Sequence, residues 1–265
     1  MEYVVITGAY GGMGKKVVET VKNAGYTVFA LDKVVEDATD GVIPIQVDLT
    51  NEESVKNAFE KVKEITDTVY SIVHFAGIYA LDSLVEIDEQ KLLKSFDINL
   101  FGVYRVNKIF LPLLKAKSRI IITTSELAPL DPLPFTSIYA LTKSALDKYA
   151  YALRMEVQLL GIDVCVLRPG AVNTGMLNVS ITQLDSFCER TEIYKCNAKR
   201  FKDIVNKVEA RNIPAQKIGL KTLKILKAKH PKHVYKINRN PLLLLLNALP
   251  RRMQTAVIKL ILKSK

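Results

Sequence analysis

The chain contains 265 residues, 49% of them hydrophobic, and no segment rich in proline, glycine or serine divides it. This length and composition argue against several linked domains and predict one domain with a single large core. The three cysteines have neither metal-binding nor redox-motif spacing. Because a strand pattern begins at residue 2 and leaves no room for a signal peptide, we expect a cytoplasmic protein.

The net charge of +11 is distributed unevenly. From Lys195 onward, 19 basic residues accompany two acidic residues, which gives +17; the preceding 194 residues contain 19 basic and 25 acidic residues, which gives −6. Such a basic third could contact nucleic acid, an anionic membrane surface or an acidic substrate, or simply form solvated helix surfaces. Since aromatic and basic residues are not interleaved as in nucleic-acid-binding surfaces, we expect no nucleic-acid partner.

The amino-terminal segment has the pattern of a dinucleotide-binding turn. A hydrophobic strand at residues 4–7 leads into a glycine-rich turn at residues 8–14, and a helical pattern follows at residues 15–25. The first glycine permits the tight turn, the next lets the backbone approach a pyrophosphate, and the last allows close packing of helix on strand. Backbone N–H groups at the helix start would bind the phosphates. The predicted cofactor contacts here are Gly8, Tyr10, Gly11, Gly12, Met13 and Gly14.

The second predicted strand, residues 27–32, ends in Asp32, which lies 18 positions after Gly14. A carboxylate at this position can accept hydrogen bonds from the adenosine ribose and would repel a 2′-phosphate. Lys33, the next residue, is a cation that a 2′-phosphate could use, whereas Tyr10 and Gly11 leave the glycine turn without one. The sequence therefore predicts NAD rather than NADP as the cofactor.

The most informative side chains are Ser125, Tyr139 and Lys143. Residues 119–125 form a predicted buried strand, so Ser125 would emerge at its carboxyl end, where open α/β sheets hold ligands. Thr124 is the competing hydroxyl, but strand alternation would point it to the other face. Tyr139 and Lys143 lie one turn apart in a strongly helical segment. Because an ammonium group beside a phenol favours the phenolate, this arrangement predicts a centre that oxidises alcohols or reduces ketones.

The pattern of Ser125 followed by Tyr139-Ala-Leu-Thr-Lys143, together with the glycine turn, resembles the short-chain dehydrogenase/reductase family. Five family motifs occur in order over residues 4–174, and the resemblance extends to about residue 240. It implies an α/β fold with a doubly wound (Rossmann) parallel sheet of about seven strands, forming one catalytic domain at residues 1–240. It also implies hydride transfer, with Ser125 orienting the substrate oxygen, Tyr139 as acid or base, and Lys143 lowering the tyrosine pKa and holding the nicotinamide ribose.

The resemblance assigns further contacts. Asp48-Leu49 would contact the adenine ring, and Ala76-Gly77 would pass close to the adenosine. A helical stretch predicted at residues 89–114 contains Asn99, which would hold a water that links Lys143 to solvent. The nicotinamide end of the cofactor would contact Pro169, Gly170, Val172 and Thr174.

Two features depart from the family pattern. His74-Phe75 stands where the family usually has Asn-Asn, and the interval from Ser125 to Tyr139 is 14 residues, one more than usual. We interpret His74 as a hydrogen-bonded structural histidine rather than a catalytic base. The histidines at positions 230 and 233 have no third ligand, so we predict no metal site.

The carboxyl-terminal part suggests a lipophilic substrate. Residues 175–212 occupy the place of the family's substrate lid and contain scattered apolar residues. This composition predicts a lipophilic secondary alcohol or ketone, with steroid, bile-acid and retinoid-like molecules as the leading classes. The alternative is that the same apolar residues simply form the undersides of two helices. The corresponding relatives within the family would be hydroxysteroid and retinol dehydrogenases.

Residues 241–265 form an apolar and basic tail. The apolar run at 242–249 is much shorter than the ~20 residues that span a bilayer. Two short amphipathic helices broken at Pro250 would suit peripheral contact with a membrane. Alternatively, the tail would pack over its own substrate cleft or a subunit interface, and the sequence leaves these possibilities open. The family resemblance implies a homodimer or homotetramer.

The predicted function is therefore an NAD(P)-dependent oxidoreductase that acts on a lipophilic alcohol or ketone. The alternative is a cofactor-bound, membrane-associated binding or regulatory protein with vestigial catalysis. The complete set of Asn99, Ser125, Tyr139 and Lys143 argues against that alternative.

Overall fold

The computed structural model describes residues 2–209 and 211–263, and it describes no side chains at 176–181, 196 and 207–209. Its strands are β1 (Tyr3–Thr7), β2 (Thr27–Asp32), β3 (Val42–Gln46), β4 (Ser71–His74), β5 (Arg119–Thr123), β6 (Asp163–Pro169), β7 (Val172–Asn173), β8 (Ile213–Pro214) and β9 (Val234–Ile237). Seven of them form one parallel sheet in the order β3-β2-β1-β4-β5-β6-β9, and β7 pairs with β8. The predicted doubly wound sheet is confirmed.

Helices cover both faces of the large sheet. They are α1 (Gly12–Asn23), α2 (Glu52–Lys63), α3 (Glu89–Phe96), α4 (Gly102–Phe110), α5 (Ser137–Val157), α6 (Gly175–Arg190), α7 (Lys195–Glu209), α8 (Gln216–Leu226), α9 (Pro241–Ala248) and α10 (Arg251–Leu262). Because successive strand residues point to opposite faces, Val5 joins the core on one face, and Val4 and Ile6 join the core on the other. Burial on both faces explains the uninterrupted hydrophobic runs of the strands.

The strand order places the site. Strands β1 and β4 are neighbours, and the chain builds outward from them in opposite directions. At such a switch point the loops after the strands diverge and leave a crevice at the carboxyl ends, where ligands bind in folds of this kind.

The predicted helical stretch at residues 89–114 is correct, but it is not one regular α-helix. Between α3 and α4 the backbone forms a π-helical turn, Asp97–Phe101, and a 3-10 turn, Leu111–Leu113, follows α4. Asn99 lies within the π-helical turn and is fully buried. Such turns occur mostly as local insertions in α-helices, often at functional sites, and hydrophobic periodicity does not reveal them.

The lid and the tail pack together as a third hydrophobic cluster. The buried members are Leu81, Phe135, Leu184, Phe187, Ala198, Phe201 and Leu262. The lid segment consists of α6 and α7, and its apolar side chains at 176, 177 and 181 lie outside the described residues. Asp131 fastens the tail by an ion pair with Arg251 (3.0 Å) and a hydrogen bond from Gln254 (3.2 Å). Among the described residues, we find no helix with the length and apolar character needed to cross a membrane.

Candidate active site

Three of the predicted catalytic side chains meet at the carboxyl end of β5. Ser125 follows this strand by two residues, Tyr139 lies in the first turn of α5, and Lys143 lies one turn further along. The side chains of Ser125 and Tyr139 are hydrogen-bonded. Lys143 Nζ lies 5.7 Å from the centroid of the Tyr139 ring and donates a 3.2 Å hydrogen bond to the carbonyl oxygen of Thr123. The hydroxyl and the phenol can therefore act on one substrate oxygen, with the amine beside the phenol.

Burial governs the protonation of this centre. It raises the pKa of Tyr139 to about 12, although the hydrogen bond with Ser125 opposes the shift. Burial also lowers the pKa of Lys143 to about 8. The sequence predicted that Lys143 would lower the pKa of Tyr139; in the structure burial raises this pKa instead, because the charged form loses its hydration. Tyr139 is thus a neutral phenol at neutral pH, ready to donate a proton.

Asn99 lies beside this centre and braces the loop after β4. Its Oδ1 accepts a hydrogen bond from the N–H of Ile78 (2.8 Å), and its Nδ2 donates to the carbonyl oxygen of Ile78 (2.9 Å) and to Thr142 Oγ1 (3.0 Å). A Cβ built on Gly77 would lie 3.1 Å from Asn99 Oδ1 and 3.5 Å from Lys143 Nζ. The structure therefore places Asn99 next to Lys143, and the water that it would hold for a proton relay remains a prediction.

Three glycines of the predicted cofactor turn lie where a side chain would collide with a neighbouring segment. Gly8 has a φ of +68°, and a Cβ there would lie 2.4 Å from the N atom of Ala76. A Cβ at Gly14 would lie 1.9 Å from the carbonyl oxygen of Gly8. At Gly12 the Cβ would meet the side chain of Thr174 at 2.5 Å. The turn thus forms a cradle of bare backbone, and Gly12 also brings it against Thr174, which directly precedes α6.

A cleft of about 810 Å³ runs from this turn along the carboxyl ends of the first strands. Most of the predicted cofactor contacts line it: Gly8, Gly11, Gly12, Met13, Gly14, Asp32, Lys33, Asp48, Leu49, Ala76, Gly77 and Thr174. The remaining ones line the adjoining pocket, namely Tyr139, Lys143, Pro169, Gly170 and Val172. Tyr10 is the exception, because its ring is partly buried against the core of the α1 face. The bare backbone at one end and the catalytic residues at the other fit a dinucleotide.

The residues that would face the adenosine ribose form a connected set. Asp32 accepts hydrogen bonds from the backbone N–H groups of Tyr10 (2.9 Å) and Lys33 (2.7 Å). Lys33 Nζ pairs with Asp48 at 2.7 Å. Hydrogen bonds from Lys33 and Thr50 lower the pKa of Asp48 to about 2. The Lys33 cation is therefore engaged by an acid within the chain.

A smaller pocket of about 220 Å³ adjoins the cofactor cleft and contains Ser125, Tyr139 and Lys143. Its other walls are mainly apolar and include Leu133, Phe201, Ile204, Val205 and Leu243. Leu133 and Glu126 both line this pocket, and the sequence analysis missed them. Both belong to the proline-rich loop between Ser125 and Tyr139, so their place in the chain could have indicated them. Nothing local indicates Leu243, which comes from α9. The tail thus covers the substrate pocket of its own chain, as one of the alternatives predicted.

Two other polar side chains lie outside the reacting group. Thr124 donates a hydrogen bond to Asp147 at 3.3 Å. His74 is buried between Thr7 (3.4 Å) and Asn107 (2.9 Å), and burial lowers its pKa to about 4. This environment agrees with a hydrogen-bonded structural histidine.

Comparison with known proteins supports the same picture. The family model described as short chain dehydrogenase matches residues 2–185. A 3-ketodihydrosphingosine reductase from Bacteroides thetaiotaomicron is 28% identical over 232 residues, which make up 87% of this chain and 85% of that protein. Mouse estradiol 17-beta-dehydrogenase 2 is 32% identical over 185 residues, covering 65% of this chain but only 49% of that protein.

The fold also has close counterparts among solved structures. A short chain dehydrogenase from Burkholderia cenocepacia, solved in complex with NADP, superposes with a TM-score of 0.74 at 20% identity, over 97% of this chain and 99% of that one. At this identity the likeness shows the fold alone.

Proposed function

This chain belongs to the short-chain dehydrogenase/reductase family, and from that premise we propose that it transfers hydride between a nicotinamide cofactor and a lipophilic secondary alcohol or ketone. One observation carries the proposal. Ser125, Tyr139 and Lys143 meet in a pocket whose other walls are mainly apolar and which opens onto the dinucleotide-sized cleft. Reactive polar groups with apolar surroundings suit a lipid that carries one oxygen function.

The protein's part in the reaction is to hold and protonate that oxygen. Ser125 hydrogen-bonds the carbonyl oxygen, and Tyr139 donates its proton to it as the ketone is reduced; alcohol oxidation requires the reverse transfer. The bound nicotinamide would supply or accept the hydride. Lys143 would contact the nicotinamide ribose, and Asn99 would connect the amine to water. Burial keeps Tyr139 protonated, which is the form that donates a proton when a ketone is reduced.

For the substrate we propose a lipid, with steroid, bile-acid and retinoid-like molecules and long-chain ketones as the classes to test. The names of the two relatives support this, since estradiol and 3-ketodihydrosphingosine are both lipids with an alcohol or ketone group. The test is NADH- and NADPH-linked absorbance change with these classes and with small sugars and polyols. Turnover of lipids alone would support the proposal, whereas turnover of polyols alone would overturn it.

For the cofactor we propose NAD in preference to NADP. Asp32 occupies the ribose end of the cleft, and Lys33 is already paired with Asp48. The NADP complex of the Burkholderia relative is the contrary precedent. A lower KM for NADPH than for NADH would refute the preference. Asp32→Asn should bring the KM values for NADH and NADPH closer together, because it removes the carboxylate charge.

We also propose that the tail makes a peripheral membrane contact. Its inner side packs on the protein, whereas several outer side chains are at least half exposed: Leu242, Leu245, Met253, Leu260 and Ile261. Basic residues at 251, 252, 259 and 263 accompany them, as in helices that bind anionic interfaces. Co-sedimentation with anionic vesicles should fall for Leu242→Gln with Leu245→Gln. The control, Leu220→Gln, changes a leucine on α8 that is 57% exposed.

Finally, we propose a homodimer or homotetramer that pairs through α4 and α5, as is common in the family. Tyr104, Leu141, Tyr151 and Met155 expose 42–54% of their surface on these two helices. Light scattering on the purified protein measures the mass directly, and a monomer at micromolar concentration would refute this proposal.

A further inference from the structure

The substrate pocket contains one charged side chain that the reaction does not use. Among the described residues that line it, only Lys143 and Glu126 are charged. Lys143 belongs to the reacting centre. Glu126 directly follows Ser125, so its Cα lies about 3.8 Å from that of the residue that holds the substrate oxygen.

Glu126 differs from Asp82, which is buried, and from Asp147, which is partly buried. Asp82 pairs with Lys91 and Arg190, and Asp147 pairs with Arg168. Glu126 has no cation within ion-pair distance among the described residues. Within the described part of the chain, this partly buried carboxylate beside the reaction centre therefore has no ion-pair partner.

The carboxylate of Glu126 nevertheless has room for another donor. Its Oε2 accepts one hydrogen bond, from the N–H of Asn240 at 2.6 Å. Burial raises its pKa, and the Asn240 hydrogen bond and the positive charge of the exposed Arg239 only partly offset this. A carboxylate has about four acceptor positions. An ammonium group would therefore satisfy positions that the described protein groups leave open.

We propose that Glu126 recognises a cationic amine of the substrate, close to the carbon that is reduced or oxidised. This inference rests on the proposed function and narrows it to a long-chain amino ketone or amino alcohol. The apolar walls, including Leu133, Phe201 and Leu243, would contact the first part of the chain. Ligand pockets commonly measure roughly 300–1,000 Å³, so the 220 Å³ here fits the polar head and leaves the rest of the chain outside.

A structural role is the competing explanation, because Glu126 also holds Asn240 at the start of α9. Glu126→Gln separates the two roles. The amide keeps an oxygen that can accept the Asn240 N–H, but it removes the negative charge. Asp131→Asn is the matched control. Asp131 is an acid of the same loop that binds the tail through Arg251, but it lies outside the pocket.

The test uses two long-chain ketones that differ only in an α-amine or an α-hydroxyl group, with the full-length enzyme and NADH. We expect the wild-type kcat/KM to favour the amine by about 10- to 100-fold, the usual range for a hydrogen bond to a charged group. Glu126→Gln should bring this ratio close to one, and Asp131→Asn should retain it. A wild-type ratio near one, or a ratio that Glu126→Gln does not change, would overturn the inference.

These outcomes are distinct from failure of the proposed function. Turnover of both ketones without discrimination overturns only the role of Glu126, whereas no turnover of any lipid overturns the proposed function. In that second case, binding of dodecylamine and dodecanol to the NADH-loaded protein tests the charge directly. Tighter binding of the amine that Glu126→Gln abolishes supports the inference, and equal binding overturns it.

Discussion

Replacing Tyr139 with Phe removes one hydroxyl group and leaves the ring, which packs 4.9 Å from the ring of Tyr79. The fold should therefore persist, with Ser125 and Lys143 in place. A positioned acid or base contributes roughly 10²- to 10⁴-fold to a rate, so we expect kcat to fall by at least about 100-fold. Binding of NADH, measured by fluorescence titration, should survive because the 810 Å³ cleft is unchanged.

Tyr149→Phe is the matched control. Tyr149 lies on the same helix, and burial likewise raises its pKa to about 12, but it hydrogen-bonds Asn107 and does not line the pocket. Losing that bond should cost about 0.5–1.5 kcal/mol of stability and leave turnover normal. A near-normal rate for Tyr139→Phe would refute the assigned proton transfer. Equal losses in both variants would indicate damage to α5 instead.

Three further predictions concern the structure around the site. Burial lowers the pKa of His74 to about 4, whereas a histidine in the unfolded chain has a pKa of about 6.5. Between these two pKa values the unfolded chain therefore binds more protons than the folded protein. Lowering the pH from about 6.5 to about 4 should thus remove about 3 kcal/mol of stability. Urea unfolding measures this stability. Between pH 7 and 4.5 the free energy of unfolding should fall less for His74→Asn than for wild type, and it should fall as much as in wild type for the exposed His230→Asn. The same pH dependence of stability in His74→Asn and wild type would contradict this prediction. Gly12→Ala should weaken NADH binding by about 10- to 100-fold, because the new methyl group has no room. The control variant Gly175→Ala should bind NADH normally, because no atom lies within 4 Å of the added methyl group. Unchanged NADH affinity for Gly12→Ala would show that the glycine turn can shift to accommodate the methyl group. Leu262→Ala should lower the free energy of unfolding by about 2–5 kcal/mol, because Leu262 is buried in the cluster that joins the tail to the lid. An unchanged Tm would show that the tail is not packed on the lid.

The fold and the location of the site could be predicted because their signals are local. Hydrophobic runs between polar turns predicted the strands, and the glycine turn predicted the cofactor end. Ser125 and Tyr139 could be brought together because one ends a strand and the other begins the next helix. Each of these features depends on residues that lie within about one strand–helix unit of each other in the sequence. The spacing of residues along the chain is therefore enough to predict them.

Features that depend on distant packing could not be predicted. The π-helical turn that holds Asn99 changes the helix locally without changing its hydrophobic pattern. Leu243 reaches the pocket from more than 100 residues beyond Ser125. The same packing reverses the expected tyrosine shift, because the pKa of Tyr139 depends on how completely the surrounding segments exclude water. The expectation considered only the neighbouring Lys143, which the sequence shows, and not the burial, which it does not.

The tail shows how two sequence hypotheses can both apply to one segment. In a helix, residues three apart share a face, whereas adjacent residues point about 100° apart. On α9, Leu243 lines the substrate pocket, while Leu242 and Leu245 are 59% and 66% exposed. On α10, Leu262 is buried and Leu260 is 80% exposed. Packing over the cleft therefore uses only the inner face of each helix, and it leaves an apolar outer face that a lipid surface could still bind.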